Sequence, residues 1–175
     1  MAQFHSVTNG FSTVRLWQAP PPARVHREPA EKPRIAQPTE TIRLFELEVI
    51  GNAQAMLNYD GGAHEVQVTA VNPTDWYVQL HEMFDDLEEG ATYTIRFQAK
   101  ADAPRRINLN AQRNGTPDWK NIGLAKSFSL TEQWEKHEVQ FQAKNLAAVN
   151  KITFILGQQT GTVWIKDFTV TKSAK

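Results

Sequence analysis

The chain has 175 residues, and its 19 lysines and arginines balance its 19 aspartates and glutamates, so the formal net charge is zero. This balance leaves no basic field of the kind that drives nucleic-acid binding, and we expect no nucleic-acid partner. No run approaches the ~18 apolar residues needed to span a bilayer, and the absence of cysteine excludes disulfides and cysteine-ligated zinc.

The first 40 residues differ in composition from the rest of the chain. The start, MAQFHSVTNGF, lacks the charged and apolar regions of a recognisable signal peptide, and localisation stays undetermined. Residues 20–40 are rich in proline and poor in large apolar side chains, which predicts an extended, polar, Pro-rich linker. Ahead of this linker, the run Thr13–Trp17 follows a glycine-containing turn and ends in tryptophan.

Residues 10–19, which include that run, resemble the end of a WD-repeat propeller blade. The resemblance implies that residues 1–19 are the remnant of a blade and that the chain comes from a longer multidomain protein. A single blade fragment cannot bury its faces without neighbouring blades. The alternative is an amphipathic tail strand that happens to end in tryptophan.

Residues 41–172 contain short runs in which apolar and polar residues alternate, which is typical of half-buried β-strands. The runs are TIRLFELEVIG, AQAMLNYDGGAHEVQVTAVN, DWYVQL, YTIRFQAKA, RINLNAQRNG, WEKHEVQF, KITFILG and VWIKDFTV. No apolar period of 3.6 residues persists over three turns, so we expect little helix. Eight to ten strands with regular turn signals predict an all-β sandwich of one domain.

The alternation assigns the side chains of each run to two faces. One face is apolar and predicts the core: its residues include Tyr93, Ile95, Phe97, Ala99, Ile107, Leu109, Ala111, Ile152, Phe154 and Leu156. The other face is rich in amides, among them Gln79, Asn110 and Gln112. A surface of this kind suits neutral, hydroxyl-rich ligands, and sugar binding is the hypothesis that it favours. The sequence leaves open which polar faces are neighbours in one sheet.

Four tryptophans in this region have different surroundings. Trp76 opens DWYVQL on the side of Val78 and Leu80, and it belongs either to the core or to the exposed mouth of the strand. Trp119 lies in the polar loop NGTPDWKNIG, where ligand contact and loop packing are both consistent with the sequence. We expect Trp134 and Trp164 to be packed, structural residues.

No catalytic constellation is present in the sequence. The histidines are dispersed without HExxH or HxH spacing, and neither GxSxG nor a phosphate-binding glycine loop occurs. The acidic stretch from Glu82 to Glu89 could supply calcium ligands or catalytic carboxylates, but a solvated loop is the simpler interpretation. We therefore expect the protein not to be an enzyme and to hold no catalytic metal.

From about residue 41 to 171 the chain resembles the jelly-roll carbohydrate-binding modules of families four, nine and twenty-two. The order of elements carries the resemblance: a Trp-led strand, a Gly-terminated connection before YTIRFQAKA, a strand and loop with an aromatic residue, WEKHEVQF after Leu-Thr, ITFILG and the closing VWIKDFTV. The resemblance implies a jelly-roll β-sandwich and a non-catalytic module that holds a poly- or oligosaccharide on a concave sheet face or in a loop cleft.

The resemblance also implies a site and a setting. Its ligand-binding residues would be Trp76, Gln79, Asn110, Gln112 and Trp119. Modules of this type are often attached to other domains of a larger, extracytoplasmic protein. Lys166 replaces the first of the family's paired aspartates and leaves Asp167, which argues against the family's structural calcium, and we expect no other cofactor.

A second hypothesis keeps the fold and changes the function. The same sandwich would serve a structural or protein-interaction role in a bacterial signalling or WD-repeat protein, without binding sugar. The exposure of Trp76 and Trp119 separates the two hypotheses, because buried rings could not form a sugar-binding surface.

Overall fold

The computed structural model of the chain describes residues 6–9, 12–15, 45–115 and 118–173. The chain divides into two units, residues 1–40 and 41–175. In the first unit, strand β1 (Ser6–Asn9) pairs in antiparallel fashion with β2 (Ser12–Arg15). The Pro-rich linker predicted at residues 20–40 lies outside the described residues, as does the end of the proposed blade remnant, so both stay predictions.

The second unit is built from β-strands. Within residues 45–115 and 118–173 these are β3 (Glu46–Val49), β4 (Gln54–Asp60), β5 (Ala63–Ala70), β6 (Val78–Phe84), β7 (Thr92–Ala101), β8 (Arg105–Arg113), β9 (Asn121–Leu130), β10 (Glu135–Gln142), β11 (Asn150–Ile155) and β12 (Gly161–Lys172). A 3-10 helix spans Asp75–Tyr77. None of the described helices has the length and apolar character needed to cross a membrane.

The strands form two antiparallel, five-stranded sheets. Sheet I has the order β10-β7-β12-β5-β4, and sheet II has the order β3-β6-β11-β8-β9. Neighbouring strands in each sheet are mostly distant in sequence, as in a jelly roll, and the predicted all-β jelly-roll sandwich is confirmed. The predicted turn between β4 and β5 is present, since Gly61 and Gly62 both adopt positive φ, which glycine does at little cost.

The core lies between the inner faces of the two sheets. In sheet II, Leu80, Phe154 and Leu109 form one cross-strand row, and all three are fully buried. The Phe97 ring of sheet I packs edge-on against Phe154, with 5.0 Å between the ring centroids. Burial of each large apolar side chain contributes roughly 1.5–3 kcal/mol. The apolar faces predicted from the alternation are therefore the observed core.

Candidate functional site

The outer face of sheet II, turned away from the core, carries the polar side chains of its strands. Three cross-strand rows make up its centre: Glu48–Gln79–Ile155–Asn108, Glu46–His81–Thr153–Asn110 and Met83–Lys151–Gln112. Gln79, Asn108, Asn110 and Gln112 thus belong to one sheet and one face, whereas the outward amide of Gln98 lies on β7 of sheet I. This adjacency could not be deduced from the alternation alone.

A cleft with a volume of ≈ 310 Å³ lies on this face. Its lining combines two tryptophans, two isoleucines, two glutamines, a glutamate and a lysine: Trp76, Trp119, Ile50, Ile155, Gln79, Gln112, Glu48 and Lys151. Aromatic and aliphatic surface with a few convergent polar groups is typical of small-molecule sites. Four of the five residues predicted as ligand-binding line the same cleft.

Asn110 is the predicted residue that does not line the cleft. It is half-buried on the same face, opposite Thr153 and two residues from Gln112 along β8. Its amide is therefore available to a ligand that extends sideways across the sheet.

The position of Trp76 follows from the 3-10 helix that precedes β6. Because Asp75–Tyr77 is helical, the strand alternation begins only at Val78 and does not extend back to Trp76. Trp76 is 47 % exposed, and it is Tyr77 that packs against the core. Of the two positions left open by the sequence, Trp76 occupies the exposed mouth of the strand.

Trp119 lies in the loop between β8 and β9 and is 46 % exposed. The residues around it are tied to β8, since the Arg113 guanidinium lies 2.6 Å from the Asp118 carboxylate. The Arg113 backbone N–H also donates to the Lys120 carbonyl over 2.9 Å. Over Trp119 itself lies the ammonium of Lys151, with Nζ 4.8 Å from the ring centroid.

A charged and polar network forms the floor of the cleft. Lys151 is only 2 % exposed, and its Nζ donates to Glu48 Oε2 over 3.2 Å and to Gln79 Oε1 over 3.3 Å. Gln79 Nε2 in turn donates to the backbone carbonyl of Trp76 over 2.8 Å. A buried ammonium needs such partners, because an uncompensated charge away from water is costly.

Glu48 and Lys151 are site residues that the sequence analysis did not identify. Lys151 alternates with Ile152 and Phe154 of the core, so strand periodicity alone places it on the outer face beside Thr153. That signal was available in the sequence. The contact of Lys151 with Glu48, more than a hundred residues earlier in the chain, could not be predicted from the sequence.

His81 lies in the middle one of the three rows on this face, close to two glutamates. It is 5 % exposed, with Nε2 3.7 Å from Glu46 and Nδ1 4.0 Å from Glu48. Burial lowers the pKa of His81, the Lys151 charge lowers it further, and the two glutamates oppose this effect. The imidazole is therefore neutral in the folded protein at neutral pH.

We predict that acidification from about pH 7 to pH 5 lowers the free energy of unfolding, partly through His81. The unfolded chain gains a proton near the ordinary histidine pKa of about 6.5, whereas the folded protein gains it only at lower pH. Burial also lowers the pKa of His64 and His137, so these two residues contribute to the slope of the free energy of unfolding against pH. Urea unfolding at several pH values should give a smaller slope for His81→Gln than for the unchanged protein, and an identical slope would contradict the assignment.

The other two tryptophans lie on the outer face of sheet I. Trp164 is half-buried, and its Nε1 donates to Glu65 over 2.9 Å, as expected of a structural residue. Trp134 is less packed than predicted, being 36 % exposed, with Lys166 Nζ 4.3 Å from its ring centroid. Neither residue is near the cleft on sheet II.

Asp167, the aspartate that the sequence leaves on the closing strand, is hydrogen-bonded within sheet I. Its Oδ2 accepts a hydrogen bond from Gln98 Nε2 over 2.6 Å. Within the part of the chain that the structure describes, no group of three or more acidic or histidine side chains could hold a metal ion.

The chain matches the model of a known family. The family model described as "Carbohydrate binding domain" matches residues 49–161, which include β4 to β11 and all the residues of the cleft except Glu48. None of the curated proteins compared with the chain matches it.

Solved structures share the fold. A domain titled "CBM4 structure and function" is 27 % identical, with a TM-score of 0.69, and the match covers 74 % of this chain and 86 % of that one. The N-terminal cellulose-binding domain of Cellulomonas fimi β-1,4-glucanase C is 24 % identical, with a TM-score of 0.57 and coverage of 68 % and 84 %. A CBM22-1 xylan-binding domain from Paenibacillus barcinonensis is 14 % identical, with a TM-score of 0.53 and coverage of 75 % and 86 %. At the last two identities the similarity shows the fold alone.

Proposed function

The chain belongs to the carbohydrate-binding domain family, and from this premise we propose that it binds a stretch of a neutral polysaccharide in the cleft of sheet II, on Trp76 and Trp119. The exposure of these two tryptophans in one cleft is the observation that carries the proposal. Buried rings would have favoured the structural or protein-interaction alternative. We call Trp76 and Trp119 the two platforms.

The chemistry of the platforms suits a sugar ring. The axial C–H groups of a pyranose form an apolar surface that packs against an indole face, while the hydroxyl groups need hydrogen-bond partners. Ile50 and Ile155 add apolar surface beside the platforms, and the Gln112 amide can both donate and accept. Asn110 would extend the same role to a neighbouring sugar unit.

The shape of the surface supports a ligand longer than one sugar. Trp76 also lines a wide, shallow hollow of ≈ 840 Å³ formed with residues 71–75 and with Gly157 and Gln158. Trp119 also lines a hollow of ≈ 380 Å³ that includes His81 and Met83. The three hollows thus follow one another along β6, with a platform between each pair. A chain of consecutive sugar units fits this succession.

We further propose that the domain binds its ligand without cleaving it. Hydrolysis of a glycosidic bond uses two carboxyl groups, one on each side of that bond. Among the described residues that line the cleft itself, Glu48 is the single carboxylate, and Lys151 holds it in an ion pair; Glu46 and Asp75 line the hollows on either side of the cleft.

We predict that affinity rises with the length of the oligosaccharide. A second platform adds roughly 1–1.5 kcal/mol to the contacts of the first, or about tenfold in Kd. Calorimetric titration with one to six units of cellulose- and xylan-derived sugars would measure this, since structural neighbours of the domain bind these polymers. Equal affinity for a monosaccharide and a hexasaccharide, or no binding of any neutral glycan, would contradict the proposal.

A further inference from the structure

Lys151 connects the two platforms through the protein itself. Its ammonium lies 4.8 Å from the centroid of the Trp119 ring and donates to Gln79 Oε1 over 3.3 Å. Gln79 Nε2 then donates to the carbonyl of Trp76 over 2.8 Å. A continuous series of contacts therefore leads from one platform to the other through the side chains of Lys151 and Gln79. Glu48 balances the positive charge of Lys151.

The ammonium of Lys151 uses its donors within the protein. An ammonium has three N–H groups. Two of them are directed at Glu48 and Gln79, and the positive charge is also attracted to the indole of Trp119. With 2 % of its surface exposed, Lys151 has little left to offer a sugar. Its contacts are those of a residue that holds other residues in place.

We infer that Lys151 is a positioning residue that fixes both platforms before the ligand arrives and couples their positions. Trp119 belongs to a loop, and the cation–π contact with Lys151 holds its ring over the sheet. Gln79 transmits the constraint to the helical turn that carries Trp76. A platform that is already ordered loses less conformational entropy on binding, so Lys151 raises the affinity without touching the sugar.

The inference also changes the role expected of Gln79. The resemblance implied that this amide contacts the ligand directly. In the structure its nitrogen donates to Trp76 and its oxygen accepts from Lys151. Gln79 thus acts through Trp76, and its main contribution is to the position of the platform.

The test uses the five indole N–H resonances in a ¹H–¹⁵N spectrum of the protein without ligand. Lys151→Met removes the charge and keeps most of the aliphatic side chain. We expect it to shift the Trp119 and Trp76 resonances and to leave Trp164, which is bonded to Glu65 on the other sheet, unchanged. Lys126→Met, at an exposed position of β9, is the matched control and should shift neither platform.

A second variant keeps the inference testable if Lys151→Met fails to fold. Gln79→Leu breaks the path between Lys151 and Trp76 and leaves the Lys151–Trp119 contact in place. We expect it to shift the Trp76 resonance and to change Trp119 little. An unchanged Trp76 resonance in either variant overturns the inference.

The expected effect of Lys151 on sugar affinity rests on the proposed function. The spectra without ligand test the contacts between Lys151 and the platforms independently of that function. With a neutral oligosaccharide that spans both platforms, Lys151→Met should weaken binding roughly tenfold, because residues in one network couple strongly. Shifted platform resonances with no glycan binding by the unchanged protein would refute the proposed function and retain the network. Unchanged binding in Lys151→Met would refute the coupling and retain the proposed function.

Discussion

Replacement of Trp119 by alanine should weaken the binding of a neutral oligosaccharide by roughly tenfold, since one platform contributes about 1–1.5 kcal/mol. The substitution removes a half-exposed indole from the cleft, together with the apolar surface on which a pyranose ring would lie. Trp119 lies outside the core, so we expect the folded structure to persist. Titration calorimetry measures the loss, and urea unfolding checks the stability.

Trp134→Ala is the matched control for this prediction. Trp134 is a half-exposed tryptophan of the same domain, but it lies on the outer face of sheet I, against Lys166. Its loss should leave glycan affinity unchanged. Trp76→Ala should weaken binding to a degree similar to Trp119→Ala, because the two rings line the same cleft. If Trp119→Ala binds the oligosaccharide as well as the unchanged protein while Trp134→Ala binds it more weakly, the binding site lies on sheet I and the proposed site on sheet II is wrong.

The faces of the sandwich could be predicted from the sequence because strand periodicity is a local property. Every second side chain of a strand lies on the same face, so Leu109 and Asn110 are separated without knowledge of the partner strands. The same rule would have placed Lys151 on the outer face. Its failure at Trp76 has a local cause, since the rule applies only inside a strand and Asp75–Tyr77 is helical.

The composition of the cleft could not be predicted in this way. Glu48 and Lys151 lie on β3 and β11, which are not neighbours, and β6 lies between them in sheet II. The contact between Glu48 and Lys151 depends on the order of strands in the sheet, and no local sequence pattern encodes that order. The family resemblance supplied the order of elements, and with it Trp76 and Trp119, but it carried no information on the ion pair of Glu48 and Lys151.

We expect Gly157→Ala to lower the stability of the fold and to displace Trp76, in both cases because of the Cβ that it adds. Gly157 follows β11 and its N–H donates to the carbonyl of Asp75 over 3.1 Å. A Cβ at this position would lie 2.3 Å from that carbonyl oxygen and 3.3 Å from the nitrogen of Val78. Because the clash is with backbone, the helical turn Asp75–Tyr77 has to move, and Trp76 moves with it. Overpacking of this kind costs roughly 1–3 kcal/mol of stability.

The loss of stability and the displacement of Trp76 can be separated with a second glycine. Gly123→Ala places a Cβ 2.2 Å from the Gln142 carbonyl, between β9 and the end of β10, away from the turn that carries Trp76. We expect both variants to unfold at lower urea concentration, but only Gly157→Ala to shift the Trp76 indole resonance and to weaken glycan binding, by roughly tenfold for a platform contact of about 1.5 kcal/mol. Equal losses of affinity in the two variants would show that binding responds to general destabilisation. A loss confined to Gly157→Ala would show that the close approach of β11 to the turn is what places Trp76 in the cleft.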